Sequence, residues 1–309
     1  MRNKYKDVIY QLMKENNKII AILVDSGTEE YELVRKEMPE RVIECGIAEA
    51  NAVAVSAGIA SCGYIPVVYG MGSFLAYRAF EFIRDDICIQ NRNVKIIGSG
   101  GGIGYNNLGP THHTTEDIAV MASLPNMTVL SPASPLEVGP VMNAAIEYTG
   151  PVYIRFGKAF EEEIFTDTPE FKIGKANVLK QGKDLTIIST GSMASDVIKS
   201  AQILEKSGIS TKVINMSTLK PIDKDTVIEA AKSTQRILTV EEHNYYGGLR
   251  SLVSDVIAGL GCVIKFESVS FNDEFCMEYG WRQEIRKMYG ICVENIVRVA
   301  KKMMQDERN

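Results

Sequence analysis

The segment RVIECGIAEANAVAVSAGIASCGYIPVVYG (41–70) contains two β-rich runs separated by a run of small residues. The runs RVIEC and IPVVYG are rich in Val, Ile and Tyr, which is typical of strands. The middle part, EANAVAVSAGIASCG, predicts a helix whose small side chains allow another helix to pack closely against it. A strand, a helix and a second strand in this order predict a βαβ unit with parallel strands.

The same alternation continues along all 309 residues and predicts an α/β protein of two domains. Strands are predicted at 18–24, 41–45, 65–70, 94–99, 128–132 and 151–156 in the first half, and at 185–190, 211–216, 236–242 and 262–270 in the second. We expect a first domain over 1–165, a charged, turn-rich linker over 166–184 that ends in a short hairpin-like piece, and a second domain over 185–309. Each domain is expected to hold a mainly parallel sheet flanked by helices.

Composition narrows the class of protein. A net charge of −5 without any cluster of Lys and Arg argues against a nucleic-acid binder. The first 18 residues predict an amphipathic helix rather than a signal peptide, and no apolar run is long enough to cross a bilayer. Six scattered cysteines without a C-x-x-C pair indicate reduced thiols. We therefore expect a cytoplasmic protein that binds neither membrane nor nucleic acid.

Several common catalytic motifs are missing from the sequence. The glycine-rich run GSGGGIGYNNLG (98–109) is not a G-x-G-x-x-G fingerprint, and no P-loop occurs. The three histidines form no metal-binding motif, and the G-x-S-x-G elbow of serine hydrolases is absent. The sequence therefore gives little support to dinucleotide binding, to nucleotide binding by a P-loop, to a metal site or to serine-hydrolase catalysis.

Glu49 stands at the start of the small-residue helix, directly after a predicted strand. A carboxylate in the first turn of a helix commonly does no more than offset the helix dipole. The alternative is a functional role, because α/β proteins bind ligands at the carboxyl ends of their strands.

Three aromatic residues, Phe74, Tyr77 and Phe80, recur at a spacing of three in GMGSFLAYRAFEF (70–82). This spacing predicts one helix face. Such a stripe alone more commonly belongs to a core, and the alternative is a platform on which a flat heteroaromatic ring stacks.

Two adjacent histidines follow the glycine-rich run in SGGGIGYNNLGPTHHTTED (99–117). They cannot both face the core in the same way, so we expect His112 to face a cavity and His113 to be packed. Histidine supplies hydrogen bonds and proton transfer near neutral pH. Arg155, at the end of strand PVYIRF (151–156), is a candidate to meet an anionic substrate.

Taken together, these segments resemble a known family. The pyrimidine-binding domain of transketolases is similar to GIAEANAV (46–53), SFLAYRAF (73–80), GPTHHTTEDIAVMASLPNMTVLSPAS (109–134) and PVYIRFGK (151–158), and the family's C-terminal domain is similar to TIISTGS (186–192) and VEEHNYYGGL (240–249). In its length and starting point the chain resembles the C-terminal subunit of a split transketolase.

The resemblance implies that thiamine diphosphate is the cofactor. Glu49 matches the glutamate that hydrogen-bonds N1′ of the aminopyrimidine and so takes part in catalysis. Phe74 matches the ring that stacks on the aminopyrimidine, with Tyr77 and Phe80 helping to wall the pocket. The implied reaction transfers a two-carbon ketol unit from a ketose donor to an aldose acceptor.

Substrate contacts are implied for two further residues. His112 matches the histidine that contacts substrate oxygens, and Arg155 matches an arginine that binds the acceptor's phosphate.

Two positions depart from the family: Leu108 stands where an aspartate commonly recognises a donor hydroxyl, and Gly100 stands where many members carry a histidine. Because a leucine would leave a donor hydroxyl unpaired, we expect a modified or deoxygenated ketose donor.

The resemblance also implies a partner chain. The family binds the diphosphate and Mg²⁺ with a G-D-G…N motif on a separate N-terminal domain, and Gly-Asp-Gly does not occur in this sequence. We therefore expect an N-terminal transketolase subunit to hold both groups in an α2β2 assembly. Two alternatives are the β subunit of a 2-oxo acid dehydrogenase E1 component and a catalytically idle assembly subunit.

Overall fold

Helices and strands alternate through the chain in the computed structural model, which describes residues 1–25, 29–159 and 161–305. The strands are β1 Ile19–Leu23, β2 Val42–Glu44, β3 Ile65–Met71, β4 Lys95–Ser99, β5 Thr128–Leu130, β6 Val152–Phe156, β7 Asn177–Lys180, β8 Leu185–Ser189, β9 Thr211–Asn215, β10 Thr218–Lys220, β11 Arg236–Val240 and β12 Lys265–Val269. The helices are α1 Arg2–Glu15, α2 Glu32–Glu37, α3 Glu49–Ser61, α4 Phe80–Phe82, α5 Asp117–Ala122, α6 Pro135–Glu147, α7 Ala194–Lys206, α8 Lys224–Thr234, α9 Leu249–Ala258, α10 Arg282–Met288 and α11 Val293–Gln305.

The strands form two sheets. The first has seven strands in the order β10-β5-β6-β4-β3-β1-β2, and the second has five in the order β12-β11-β8-β9-β7. All pairings are parallel except β10 with β5 and β7 with β9. Every strand predicted from the sequence is present, so the predicted α/β class with two mainly parallel sheets is confirmed.

Two strands were not predicted, β7 and β10. The end of the predicted linker forms β7, which pairs antiparallel with β9 at the edge of the second sheet, so the expected local hairpin is wrong. Strand β10 comes from the second half of the chain yet pairs antiparallel with β5 of the first sheet. Both strands are too short to show a clear period in the sequence. The domain boundaries expected at residues 165 and 184 remain predictions.

Hydrophobic packing joins the two sheets. One cluster of buried side chains includes Ile96 of β4, Ile188 of β8 and Ile214 of β9. A second cluster lies between the first sheet and helices α1 and α6, and a third lies between the second sheet and helices α7 and α11. Since burial of apolar surface is the main stabilising term, the shared cluster fixes the two halves against each other.

A buried carboxylate adds a polar link between the halves. Glu137 of α6 accepts hydrogen bonds from the hydroxyl of Ser217 at 2.6 Å and from the side-chain amide of Asn215 at 3.3 Å. Burial raises the pKa of Glu137 above its usual value.

Within the described ranges, no helix is long and apolar enough to cross a membrane.

Candidate active site

Glu49 is the first residue of helix α3, and its side chain is only 1% exposed. The free N–H groups of a helix N-terminus favour a negative charge at this position. One carboxylate oxygen of Glu49 accepts a hydrogen bond from Nη1 of Arg78 at 2.7 Å. Arg78 was not singled out in the sequence, because a single arginine among aromatic residues gives no pattern that indicates its partner.

Phe74 lies between this ion pair and His112. The guanidinium carbon of Arg78 is 4.9 Å from the centroid of the Phe74 ring. The rings of Phe74 and His112 meet edge to face, with centroids 5.1 Å apart and an interplanar angle of 67°. The structure therefore brings together three residues that the sequence predicted for one site, Glu49, Phe74 and His112, and adds Arg78.

The other two predicted aromatic residues have contacts of their own. Residues Phe74–Arg78 form a π-helical turn, and Ala79 then interrupts the helix with φ −96° and ψ 12°. The regular helix on which the predicted aromatic face depended is therefore interrupted, and the roles of Tyr77 and Phe80 in the pocket stay a prediction. The Tyr77 hydroxyl donates to the carboxylate of Glu116 at 2.7 Å, and Phe80 packs against the first hydrophobic cluster.

The two histidines differ in burial. His112 is half-buried, and its Nδ1 is 2.9 Å from the Thr111 hydroxyl. His113 is 4% exposed, and its Nδ1 donates to the carbonyl of Cys276 at 3.2 Å. Burial lowers the pKa of His113, so this imidazole is neutral near neutral pH. With Tyr77, His113 lines a cavity of about 350 Å³.

Tyr105 explains the departure at Gly100. The backbone of Gly100 has φ +82°, and a side chain there would collide with the ring of Tyr105. The Tyr105 hydroxyl is 3.3 Å from that of Ser99, and the Lys158 ammonium lies 4.3 Å from the Tyr105 ring centroid. An aromatic ring with a neighbouring cation thus fills the space beside Gly100. The other departure, Leu108, is a half-exposed apolar side chain.

Arg155 is turned into the protein. Its side chain is 5% exposed, and its Nε donates to the fully buried carboxylate of Asp117 at 3.0 Å. Its Nη2 donates to the carbonyls of Thr114 at 2.9 Å and of Glu242 at 2.8 Å. The guanidinium therefore links the first half of the chain to the second. Its predicted contact with an acceptor phosphate stays a prediction.

A second cavity, of about 520 Å³, lies between the two halves and includes Arg282, Arg286 and Ser192 in its lining. Burial would raise the pKa of Glu242, but ion pairs with Arg282 and Arg286 outweigh it and hold that pKa well below its usual range. The Arg286 Nε donates to Glu242 at 2.7 Å, and Ser192 accepts from both arginines. These residues are far apart in the sequence and gave no motif.

Over residues 1–25, 29–159 and 161–305, no three His, Cys, Asp or Glu side chains cluster to hold a metal ion.

Comparison with known proteins assigns the chain to a family. Residues 1–160 match the family described as "Transketolase, pyrimidine binding domain", and residues 174–296 match "Transketolase, C-terminal domain". The chain belongs to the transketolase family.

Individual transketolase-family proteins are similar over nearly the whole chain. One of the subunits of an apulose-4-phosphate transketolase from Phocaeicola vulgatus is 35% identical over 97% of this chain and 96% of its own length. A solved structure described as "Split gene transketolase, inactive beta4 tetramer" is 35% identical, with a TM-score of 0.88 over 99% of this chain and 98% of that one. "1-deoxy-D-xylulose-5-phosphate synthase" of Heliobacterium modesticaldum is 32% identical over 99% of this chain, which spans 47% of that protein.

These findings confirm the predicted family and its enzyme class. The chain is a subunit of a two-chain, transketolase-like transferase. Dependence on thiamine diphosphate follows from membership of the family. The split relatives imply a partner subunit.

Proposed function

We propose that this chain supplies the aminopyrimidine half of a thiamine diphosphate site in a two-chain transketolase that moves a two-carbon ketol unit from a ketose to an aldose. The observation that supports the site is that one side chain, Arg78, reaches both the buried carboxylate of Glu49 and the ring of Phe74. A flat group with N–H donors fits there, because the planar guanidinium of Arg78 contacts both residues.

In this proposal each residue has a separate task. Glu49 shares a proton with a ring nitrogen through a hydrogen bond, Phe74 offers its ring face for stacking, and His112 binds substrate oxygens. Thiamine diphosphate, when bound, supplies the electron sink that the breaking of a carbon–carbon bond requires. Tyr77 and Phe80 remain proposed walls of the pocket, and Arg155 remains a proposed ligand of an acceptor phosphate.

A partner chain is proposed to hold the diphosphate and Mg²⁺. The absence of Gly-Asp-Gly from the sequence supports this division of the site. So does the exposed, small-residue side of α3, which includes Asn51 and Gly58, because another helix can approach it closely. We propose an N-terminal transketolase subunit as this partner, and an α2β2 assembly with its sites between chains.

The donor is proposed to be a modified or deoxygenated ketose. Leu108 provides no polar group for a donor hydroxyl. The name of the Phocaeicola vulgatus relative, which refers to apulose 4-phosphate rather than to a common pentulose phosphate, supports an unusual sugar.

The location of the protein is proposed to be the cytoplasm. All six cysteines are free, which fits a reducing compartment.

Reconstitution tests the proposal. This chain is purified alone and together with the candidate N-terminal subunit, and thiamine diphosphate is titrated with Mg²⁺ by calorimetry, followed by assays on a panel of phosphorylated ketoses and aldoses. We expect tight, Mg²⁺-dependent binding and ketol transfer by the complex only. Full binding and turnover by this chain alone would contradict a shared site. Decarboxylation of pyruvate with docking of a lipoyl domain would favour the 2-oxo acid dehydrogenase alternative, and an inactive complex would favour the idle subunit.

A further inference from the structure

We propose that Arg78 occupies the aminopyrimidine position in the cofactor-free subunit and is displaced when thiamine diphosphate binds. This inference rests on the function proposed above for Glu49 and Phe74. It gives Arg78 a role in the site before the cofactor arrives, as a positioning residue that keeps the carboxylate of Glu49 in place.

The contacts of Arg78 duplicate those proposed for the cofactor ring. Its Nη1 donates to Oε2 of Glu49 at 2.7 Å, as a ring nitrogen carrying or sharing a proton would. Its guanidinium carbon lies 4.9 Å from the centroid of Phe74, as a stacked flat ring would lie over the same face. Because both groups are planar and use the same carboxylate and the same ring, they compete for one place.

Glu49 needs such a partner. Its carboxylate is 1% exposed, and Arg78 is the one side chain in the described part of the structure that hydrogen-bonds to it. A buried carboxylate without a partner is strongly destabilising, and a paired arginine removes that cost. Arg78 therefore stabilises the empty pocket in the arrangement that the cofactor needs.

Arg78 is also able to leave. Half of its side chain is exposed, at 51%, so it can turn toward solvent without opening the core. It ends the π-helical turn Phe74–Arg78, directly before the interruption at Ala79, and a short π-turn is a common place for local adjustment. The exchange replaces one planar donor by another on Glu49.

The exchange has a measurable consequence for cofactor affinity. When a competing group fills a site, only the fraction of molecules with that group displaced can bind, and the apparent affinity falls by that fraction. Removal of the Arg78 guanidinium is therefore expected to tighten cofactor binding and, at the same time, to destabilise the cofactor-free protein.

The test uses the complex of this chain with its partner subunit. Arg78→Met removes the guanidinium and retains the length of the side chain. We expect the dissociation constant for thiamine diphosphate, measured by calorimetry at fixed Mg²⁺, to fall roughly tenfold, which corresponds to one charge-assisted hydrogen bond. We expect the melting temperature of the cofactor-free complex to fall. Arg84→Met is the matched control, because Arg84 is exposed and pairs with its neighbour Asp85, and neither quantity should change.

A second variant separates this role from general packing. In a Glu49→Gln background the Arg78→Met substitution should lower the melting temperature much less, since a hydrogen bond to the amide is lost but no buried charge is left unpaired. Weaker cofactor binding in Arg78→Met would make Arg78 a cofactor ligand and overturn the proposal. Unchanged affinity with unchanged stability would overturn it as well. Failure of the wild-type complex to bind thiamine diphosphate would instead overturn the proposed function and this inference with it.

Discussion

The rings of Phe74 and His112 meet edge to face with centroids 5.1 Å apart, although they lie far apart in the chain. Phe74 follows strand β3, and His112 lies in the loop after strand β4. Because β3 and β4 are parallel neighbours, the segments after them emerge at the same edge of the sheet. The sheet therefore places the stacking ring beside the substrate histidine of the proposed site.

Substitution of Glu49 tests the proton-sharing role. In Glu49→Gln, the amide oxygen can still accept the hydrogen bond from Arg78, so we expect the protein to stay folded. The amide cannot share a proton with the cofactor ring, and ketol transfer by the complex should fall by about 10²–10⁴-fold. Turnover is measured together with cofactor occupancy. A rate within about threefold of wild type, with cofactor bound, would contradict the role.

The two histidines are expected to respond differently to alanine. His112→Ala should lower kcat/KM by about 10²–10³-fold with little change in stability, because His112 is half-buried beside the proposed site. His113→Ala should lower the free energy of unfolding by about 1–3 kcal/mol, because the buried bond to the carbonyl of Cys276 is lost. Steady-state kinetics and urea unfolding of both variants measure the difference. Equal kinetic losses in two stable variants would argue against the assignment.

Arg155 has a structural role that can be measured apart from its predicted role in substrate binding. Arg155→Met removes the cation that pairs with the buried carboxylate of Asp117, which keeps its hydrogen bond from the Tyr153 hydroxyl, and should lower the free energy of unfolding by about 3–5 kcal/mol. Adding Asp117→Asn should recover part of this loss, because the uncompensated charge is removed. Urea unfolding of the single and double variants measures both values. Additive losses would show that the pair does not act as a unit.

The phosphate role of Arg155 is tested with Arg155→Lys, which retains the charge. If Arg155 binds the acceptor's phosphate, the acceptor KM should rise more than kcat falls, because the phosphate is remote from the reacting carbon. A neutral aldose serves as the control acceptor, and its KM should not change. An equal response to both acceptors would leave Arg155 with its structural role alone.

Stability should depend on pH through Glu242. Its two arginine partners hold its pKa below the ordinary value, so its contribution is present above pH about 4.3 and is lost as pH falls toward the folded-state pKa. Melting temperatures of wild type and Glu242→Gln should therefore differ at neutral pH and converge in acid. Glu205→Gln is the control: its exposed pair with Lys180 should contribute little at any pH. A pH-independent difference would contradict this assignment.

The sequence by itself determined the α/β alternation, the family and most members of the proposed site. Strands and helices could be located because their periods of hydrophobic residues are local properties of the chain. Glu49 could be found for the same reason, since a carboxylate between a strand and a small-residue helix is a feature of neighbouring residues. His112 and Phe74 were found through motifs, which are also local.

Only the tertiary structure decided which side chains meet. The bond from Arg78 to Glu49, the ion pair of Arg155 with Asp117 and the pairing of β10 with β5 join residues far apart in sequence. The π-turn Phe74–Arg78 likewise interrupted the regular helix that the spacing of the aromatic residues predicted. Such contacts depend on how elements pack, because burial makes an unpaired charge or polar group costly and selects the partner that the fold brings within reach.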